Sequence, residues 1–288
     1  MVTPQDSPFA GWLGPDRLAE PARNRPGERP SLTAQAFIVR FGTATPSFPQ
    51  ATPQPAWSTL PNASVRLMTL ELASPAEALA QAHGLLADEQ RAKADSIRQP
   101  GRRAGYVLAH ALLRLNLARL SDVALDRIEL RYDGSGRPTM SPPVPGLCFS
   151  ISYGAAACAV ALAPQPIGID VEAIRDDLDW PGIAARFFSP LERARIETCP
   201  AGQAQTEAFF ETWCRKEAAL KRLGKGIDAA EFIDTETTER RLAPSGVLAQ
   251  GKPPMPRVAW ALALSEVSGR LAPGTSGFPR RSWPGDWR

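Results

Sequence analysis

Ile167-Gly168-Ile169-Asp170-Val171-Glu172 is the stretch whose reading decides the fold. Apolar, β-branched residues following Pro164 and Pro166 read as a short strand, in which alternate side chains share a face, so Asp170 and Glu172 project together. Two carboxylates held that close repel each other. Either one takes up a proton or a cation lies between them, and a site made of oxygens suits a hard ion such as magnesium. Taken alone, a D-x-E pair is more often a solvated strand end.

Downstream, residues 209–221 read Phe-Phe-Glu-Thr-Trp-Cys-Arg-Lys-Glu-Ala-Ala-Leu-Lys. The spacing predicts a helix with Phe210, Trp213, Cys214 and Leu220 near one face and Glu217 and Lys221 one turn apart on another. Such a helix brings a third carboxylate and a cation to one place. Together, I-G-I-D-V-E followed by W-x-x-K-E-A-x-x-K resembles the signature of the 4′-phosphopantetheinyl transferases, in particular the larger, surfactin-synthetase-activating class.

Composition sets outer bounds. The chain has 288 residues, 43% of them hydrophobic and 22% charged, with a formal net charge of +3, enough for one medium domain or two small ones with a real core. The mild basic balance fits an acidic partner or a phosphorylated ligand, and no lysine or arginine run points to nucleic acid. Cys148, Cys158, Cys199 and Cys214 lack C-x-x-C spacing, and reduced thiols in a cytoplasmic protein are expected. With only His83 and His110, a histidine-based zinc site or a Ser-His-Asp triad has little to draw on. No apolar run is long enough to span a membrane, and the start shows no charged-then-apolar leader pattern.

In chain order, residues 1–62 are rich in proline, serine, threonine and alanine and read as a disordered extension, with only Ala36-Phe37-Ile38-Val39 strand-like. A folded body is expected from 63: a strand over 65–72, a helix from about Pro75 to Leu86, a helical segment from Asp88 and another over 106–114. A strand over 128–132 precedes an Asp133-Gly134-Ser135-Gly136 turn, and a hairpin follows around Gly154. Ser189, Pro190 and Glu192 form a helix start with a capping box, and Gly224 suits a left-handed helix end. Closing strands are expected over 232–235 and 258–264, with residues 268–288 a disordered tail. The pattern is α+β.

The resemblance, which covers roughly 65–264, implies more. It implies a pseudo-twofold pair of similar halves, residues 63–164 binding coenzyme A and 165–267 carrying the metal site and carrier docking. Each half is expected to be a helix on a small, mainly antiparallel sheet. It implies a Mg2+ site at Asp170, Glu172 and Glu217, with Glu217, Lys221 and Lys216 in catalysis. Coenzyme A contacts are implied at Lys93, Arg102, Arg103, Arg137, Ser152, Tyr153 and Lys221. Two positions depart from the family pattern: Gly105 stands where an arginine is frequent, and Tyr153 where a histidine is usual. The implied reaction moves phosphopantetheine from coenzyme A to a serine of an acyl or peptidyl carrier protein, in a cytoplasmic monomer that binds neither nucleic acid nor membrane. A different magnesium-dependent phosphotransferase and a catalytically silent homologue are the alternatives; no G-x-x-x-x-G-K-[ST] loop supports the first.

Overall fold

The computed structural model describes residues 34–42, 54–60, 63–72, 76–133, 137–226, 234–235, 245–248 and 257–264. Its strands are β1 (Ala34–Phe41), β2 (Gln54–Leu60), β3 (Ala63–Leu72), β4 (Glu129–Tyr132), β5 (Pro138–Ser141), β6 (Cys148–Tyr153), β7 (Ala157–Ala163), β8 (Ile167–Ala173), β9 (Ser245–Leu248) and β10 (Val258–Leu264). Its helices are α1 (Ala76–Gly84), α2 (Asp88–Ser96), α3 (Pro100–Ser121), α4 (Trp180–Phe187), α5 (Pro190–Glu197) and α6 (Gln203–Leu223). This is the expected α+β chain.

A five-stranded sheet, ordered β2-β3-β1-β7-β6, is parallel only between β1 and β3. A second sheet is ordered β8-β10-β9, and β4 pairs with β5 as a separate ribbon. Period-2 alternation explains how the layers stack. On β7, Cys158, Val160 and Leu162 pack beneath α3, while Ala157, Ala159, Ala161 and Ala163 turn to the other face. There they meet Ile167, Ile169 and Val171 of β8 and Val258, Leu262 and Leu264 of β10. The opposite face of β10, Ala259, Ala261 and Ala263, lies under α6 with Phe209, Phe210 and Cys214. The order is therefore α3, sheet, sheet, α6, and each half repeats one plan: a long helix on a sheet.

Two strands fall inside residues 1–62, so the extension expected there is not one throughout. β1 lies between β3 and β7, with Phe37, Val39 and Phe41 turned to one core and Ala36 and Ile38 to the other. Its partners are distant in sequence, which a biased local composition conceals. Residues 1–33, 232–233 and 265–288 lie outside the described residues, and with them most of what was expected of both termini. Thr235 occupies a turn instead of a closing strand; β9 pairs with β10.

Glycines set how close the layers come. A Cβ at Gly168 would lie 1.9 Å from the Ala218 carbonyl oxygen and 2.6 Å from the Arg222 nitrogen, so α6 rests directly on β8. At Gly105 a Cβ would lie 2.2 Å from the Gly154 carbonyl oxygen, which explains the departure from arginine: α3 lies against the β6–β7 turn, and no side chain fits.

Candidate active site

Asp170 is the centre of the site. It sits on β8 with its side chain turned to α6, fully buried, and its Oδ1 accepts from Lys221 Nζ at 2.6 Å and from Ser152 Oγ at 2.7 Å. Lys221 also donates to the Ile169 carbonyl at 3.2 Å. One bond thus crosses from β6 to β8 and another from α6 to β8, and the contact at Gly168 is what lets α6 reach. Cys214 lies on the same helix stripe as Ala218 and Lys221. Burial, then the charges of Asp170 and Glu172, push its thiol well above the ordinary range, which places both carboxylates on this side of β8.

Glu217, one turn before Lys221, is buried and lines a cavity of about 590 Å3 together with Lys221, Ser152 and Tyr153. Lys93 of α2 and Arg137 at the start of β5 stand on other walls, with Lys225 just past the α6 cap at Gly224. The cavity therefore gathers four cations from three separated parts of the chain, a setting for a ligand with several phosphates.

Three expected residues are elsewhere. Lys216 is fully buried and pairs with Glu192 at 3.0 Å. Successive helix positions point about 100° apart, so the neighbour of Glu217 faces α5 instead of the cavity. Glu192 also accepts from Ser189 N at 2.7 Å, Thr235 N at 2.9 Å and Thr235 Oγ1 at 2.7 Å, so Lys216 belongs to a structural hub. Arg102 and Arg103 lie in the first turn of α3 and do not line the cavity; Arg103 donates to the Ile97 carbonyl at 3.0 Å.

Sequence reading missed an aromatic wall. Tyr106 stacks on His110 at 3.9 Å, and Tyr153 meets Tyr106 edge-on at 5.4 Å. His110 Nδ1 lies 2.8 Å from the Tyr106 carbonyl oxygen, which only accepts. The proton is therefore on Nδ1, leaving Nε2 to accept from the Tyr132 hydroxyl at 3.4 Å. Burial lowers the His110 pKa to about 4, so the ring is neutral at pH 7. Tyr106 and His110 at i and i+4 were the available signal. It reads equally as a core pair.

Oxygen donors of this kind match a hard divalent cation, and Asp170 Oδ2 is buried without a hydrogen-bond partner among the described residues, a place where positive charge is wanted. The residues fit the ion in chemistry. They are not drawn together as a ready cluster: among the described residues, no group of three or more His, Cys, Asp or Glu is placed to hold a metal. No helix among the described residues is long and apolar enough to cross a membrane.

Comparison with known proteins gives the family of the chain. The family described as the 4′-phosphopantetheinyl transferase superfamily matches residues 166–261, the span from just before β8 into β10. The 4′-phosphopantetheinyl transferase HetI of Nostoc sp. is 31% identical over 202 residues, 67% of this chain and 84% of that protein. The 4′-phosphopantetheinyl transferase psf-1 of Bacillus pumilus is 29% identical over 165 residues, 57% of this chain and 69% of the relative. For 4′-phosphopantetheinyl transferase AcpT of Escherichia coli K12 the figures are 30% over 141 residues, 49% and 67%.

Proposed function

Since the chain belongs to the 4′-phosphopantetheinyl transferase superfamily, we propose that it is an active, magnesium-dependent holo-carrier-protein synthase using coenzyme A as its donor. The reaction joins a serine Oγ of an acyl or peptidyl carrier protein to the β-phosphorus of coenzyme A. The bond from that phosphorus to 3′,5′-adenosine bisphosphate breaks, and the bisphosphate leaves. The observation that carries this reading is that Asp170 is held by Lys221 and Ser152, both of which line one cation-rich cavity together with Glu217.

Asp170, Glu172 and Glu217 are the residues that would hold magnesium, whose charge would offset the negative charge building on the diphosphate. Glu217 accepts the serine proton, directly or through water. Lys221 holds phosphate oxygens and steadies the leaving group, and Lys93 and Arg137 bind the phosphates from the opposite walls; the planar guanidinium of Arg137 can do so in bidentate fashion. Ser152 orients Asp170 through its 2.7 Å bond. Tyr153 supplies a hydroxyl where the family usually has a histidine, so this corner offers a hydrogen bond and no charge. Lys216, Arg102 and Arg103 have no part in this scheme.

The test is the intact mass of several apo carrier proteins incubated with the enzyme, coenzyme A and magnesium. A magnesium-dependent gain of one phosphopantetheine group, abolished in Glu217→Gln, is the expected result. Coenzyme A binding with no mass gain on any carrier would favour the silent homologue instead.

A further inference from the structure

Arg114 lies at the middle of α3, 3% exposed, and its guanidinium is spent on backbone carbonyls. Nε donates to Leu85 O at 2.8 Å, Nη1 to Ile128 O at 2.8 Å and Nη2 to Leu125 O at 2.7 Å. Each acceptor belongs to a connection, not to a sheet or a long helix. Leu85 is in the bend between α1 and α2, three residues ahead of the helix that carries Glu89, Gln90 and Lys93 to the cavity. Leu125 and Ile128 bracket the 3-10 turn Leu125–Arg127, directly before β4. That ribbon brings Tyr132 and Arg137 to the cavity.

A buried cation is costly unless hydrogen-bonded, and three carbonyl dipoles satisfy this one. Only arginine offers donors in a fixed planar fork able to hold three such oxygens in one register; lysine is a single point of donation. Arg91 reinforces the same bend by donating to the next carbonyl, Leu86 O. We propose that Arg114 is a positioning residue for the transfer reaction: it sets the spacing between the α2 wall and the β4–β5 wall, and so the fit of the coenzyme A phosphates between Lys93 and Arg137. This rests on reading the cavity as the coenzyme A site.

The remaining catalytic groups sit on β8 and α6, and none of the three hydrogen bonds of Arg114 goes to either element; the test uses that separation. In Arg114→Lys, KM for coenzyme A should rise about tenfold while kcat at saturating coenzyme A stays within about twofold. A purely structural Arg114 would lower the melting temperature and the active fraction with KM unchanged, and that pattern would overturn the proposal. Hydrogen exchange of the parent chain covers the case in which the variant does not fold. Coenzyme A should slow the amides of residues 85–93 and 125–132 together, and protection of one segment alone would refute the shared reference. If the parent chain bound no coenzyme A at all, the reading of the cavity would fall, and this inference with it; a bound parent with an unmoved KM would sink only the role of Arg114.

Discussion

Replacing Lys221 with methionine removes the ammonium and keeps most of the aliphatic stem, leaving Asp170 with the Ser152 hydroxyl and the Cys214 thiol as donors. The Asp170 side chain is 1% exposed and that of Lys221 22%, so this is a buried pair that water reaches from one side only. Removing one partner of a buried pair costs about 3–5 kcal/mol, and the partial access of water puts Lys221→Met near the lower figure, about 3 kcal/mol. In a chain of this size that lowers the melting temperature by roughly 6–12 °C. A divalent cation bound at Asp170 restores the missing charge, and at a hundred times its Kd contributes about 2.7 kcal/mol. In the parent, Lys221 already holds the Oδ1 of that carboxylate, so the cation must compete for it. Thermal unfolding of both proteins, with chelator and then with saturating magnesium, should show a lower baseline and a larger magnesium shift in the variant. If Lys221→Met melted with the parent in chelator, or if magnesium raised the two equally, the ion pair would not be holding the site together.

Three further outcomes follow from the packing and from His110. In Gly168→Ala the new methyl meets two backbone atoms of α6, so the helix must move; a stability loss of at least about 3 kcal/mol, beyond ordinary overpacking, should come with near-complete loss of transfer. Gly105→Ala should destabilise comparably, by its 2.2 Å approach to Gly154, yet keep most of kcat; denaturant titration beside steady-state rates checks both. For His110, the folded pKa of about 4 lies below the ordinary 6.5, so the unfolded chain takes up the proton first as pH falls. The stability this neutral ring contributes is complete above about pH 6.5 and is lost toward pH 4, up to about 3 kcal/mol. Denaturant midpoints at pH 7 and pH 5 should therefore converge between parent and His110→Phe, and a difference that stays constant would contradict the assignment.

The second half was the more legible one. Alternation over Ile167 to Glu172 and helical spacing over 209–221 are local signals, and both elements formed as expected, with the capping box at Ser189 and Glu192 and the left-handed cap at Gly224. Local periodicity cannot report pairing across long separations: residues 36–39 read as strand-like, but the place of β1 between β3 and β7 does not show in it. Spacing sets Lys221 one turn from Glu217 and turns Lys216 away, but it cannot say that α5 lies opposite Lys216 and β8 opposite Lys221. The packed face of α6 is also wider than the apolar spacing alone indicates. Cys214, Ala218 and Lys221 share the stripe toward β8, which became visible only once the strand beneath it was known. The convergence of Lys93 and Arg137 on one cavity is a property of the layers, and the sequence carries it only through the resemblance; Lys225, on the same cavity, is not among the residues the resemblance implies.

The alanines of β7 have a consequence of their own. Ala157, Ala159, Ala161 and Ala163 make the layer between the sheets thin on one side, so the alignment of the halves is set by backbone against side-chain ends, with little interlocking to absorb a change. A methyl group added there acts as a shim. Under α3 or α6 the same addition strains one half of the molecule, but between the sheets it tilts one half against the other. The gauge of that tilt is the bond from Ser152 to Asp170, which spans the joint, so enlargement at Ala159 should disturb turnover before it unfolds the chain.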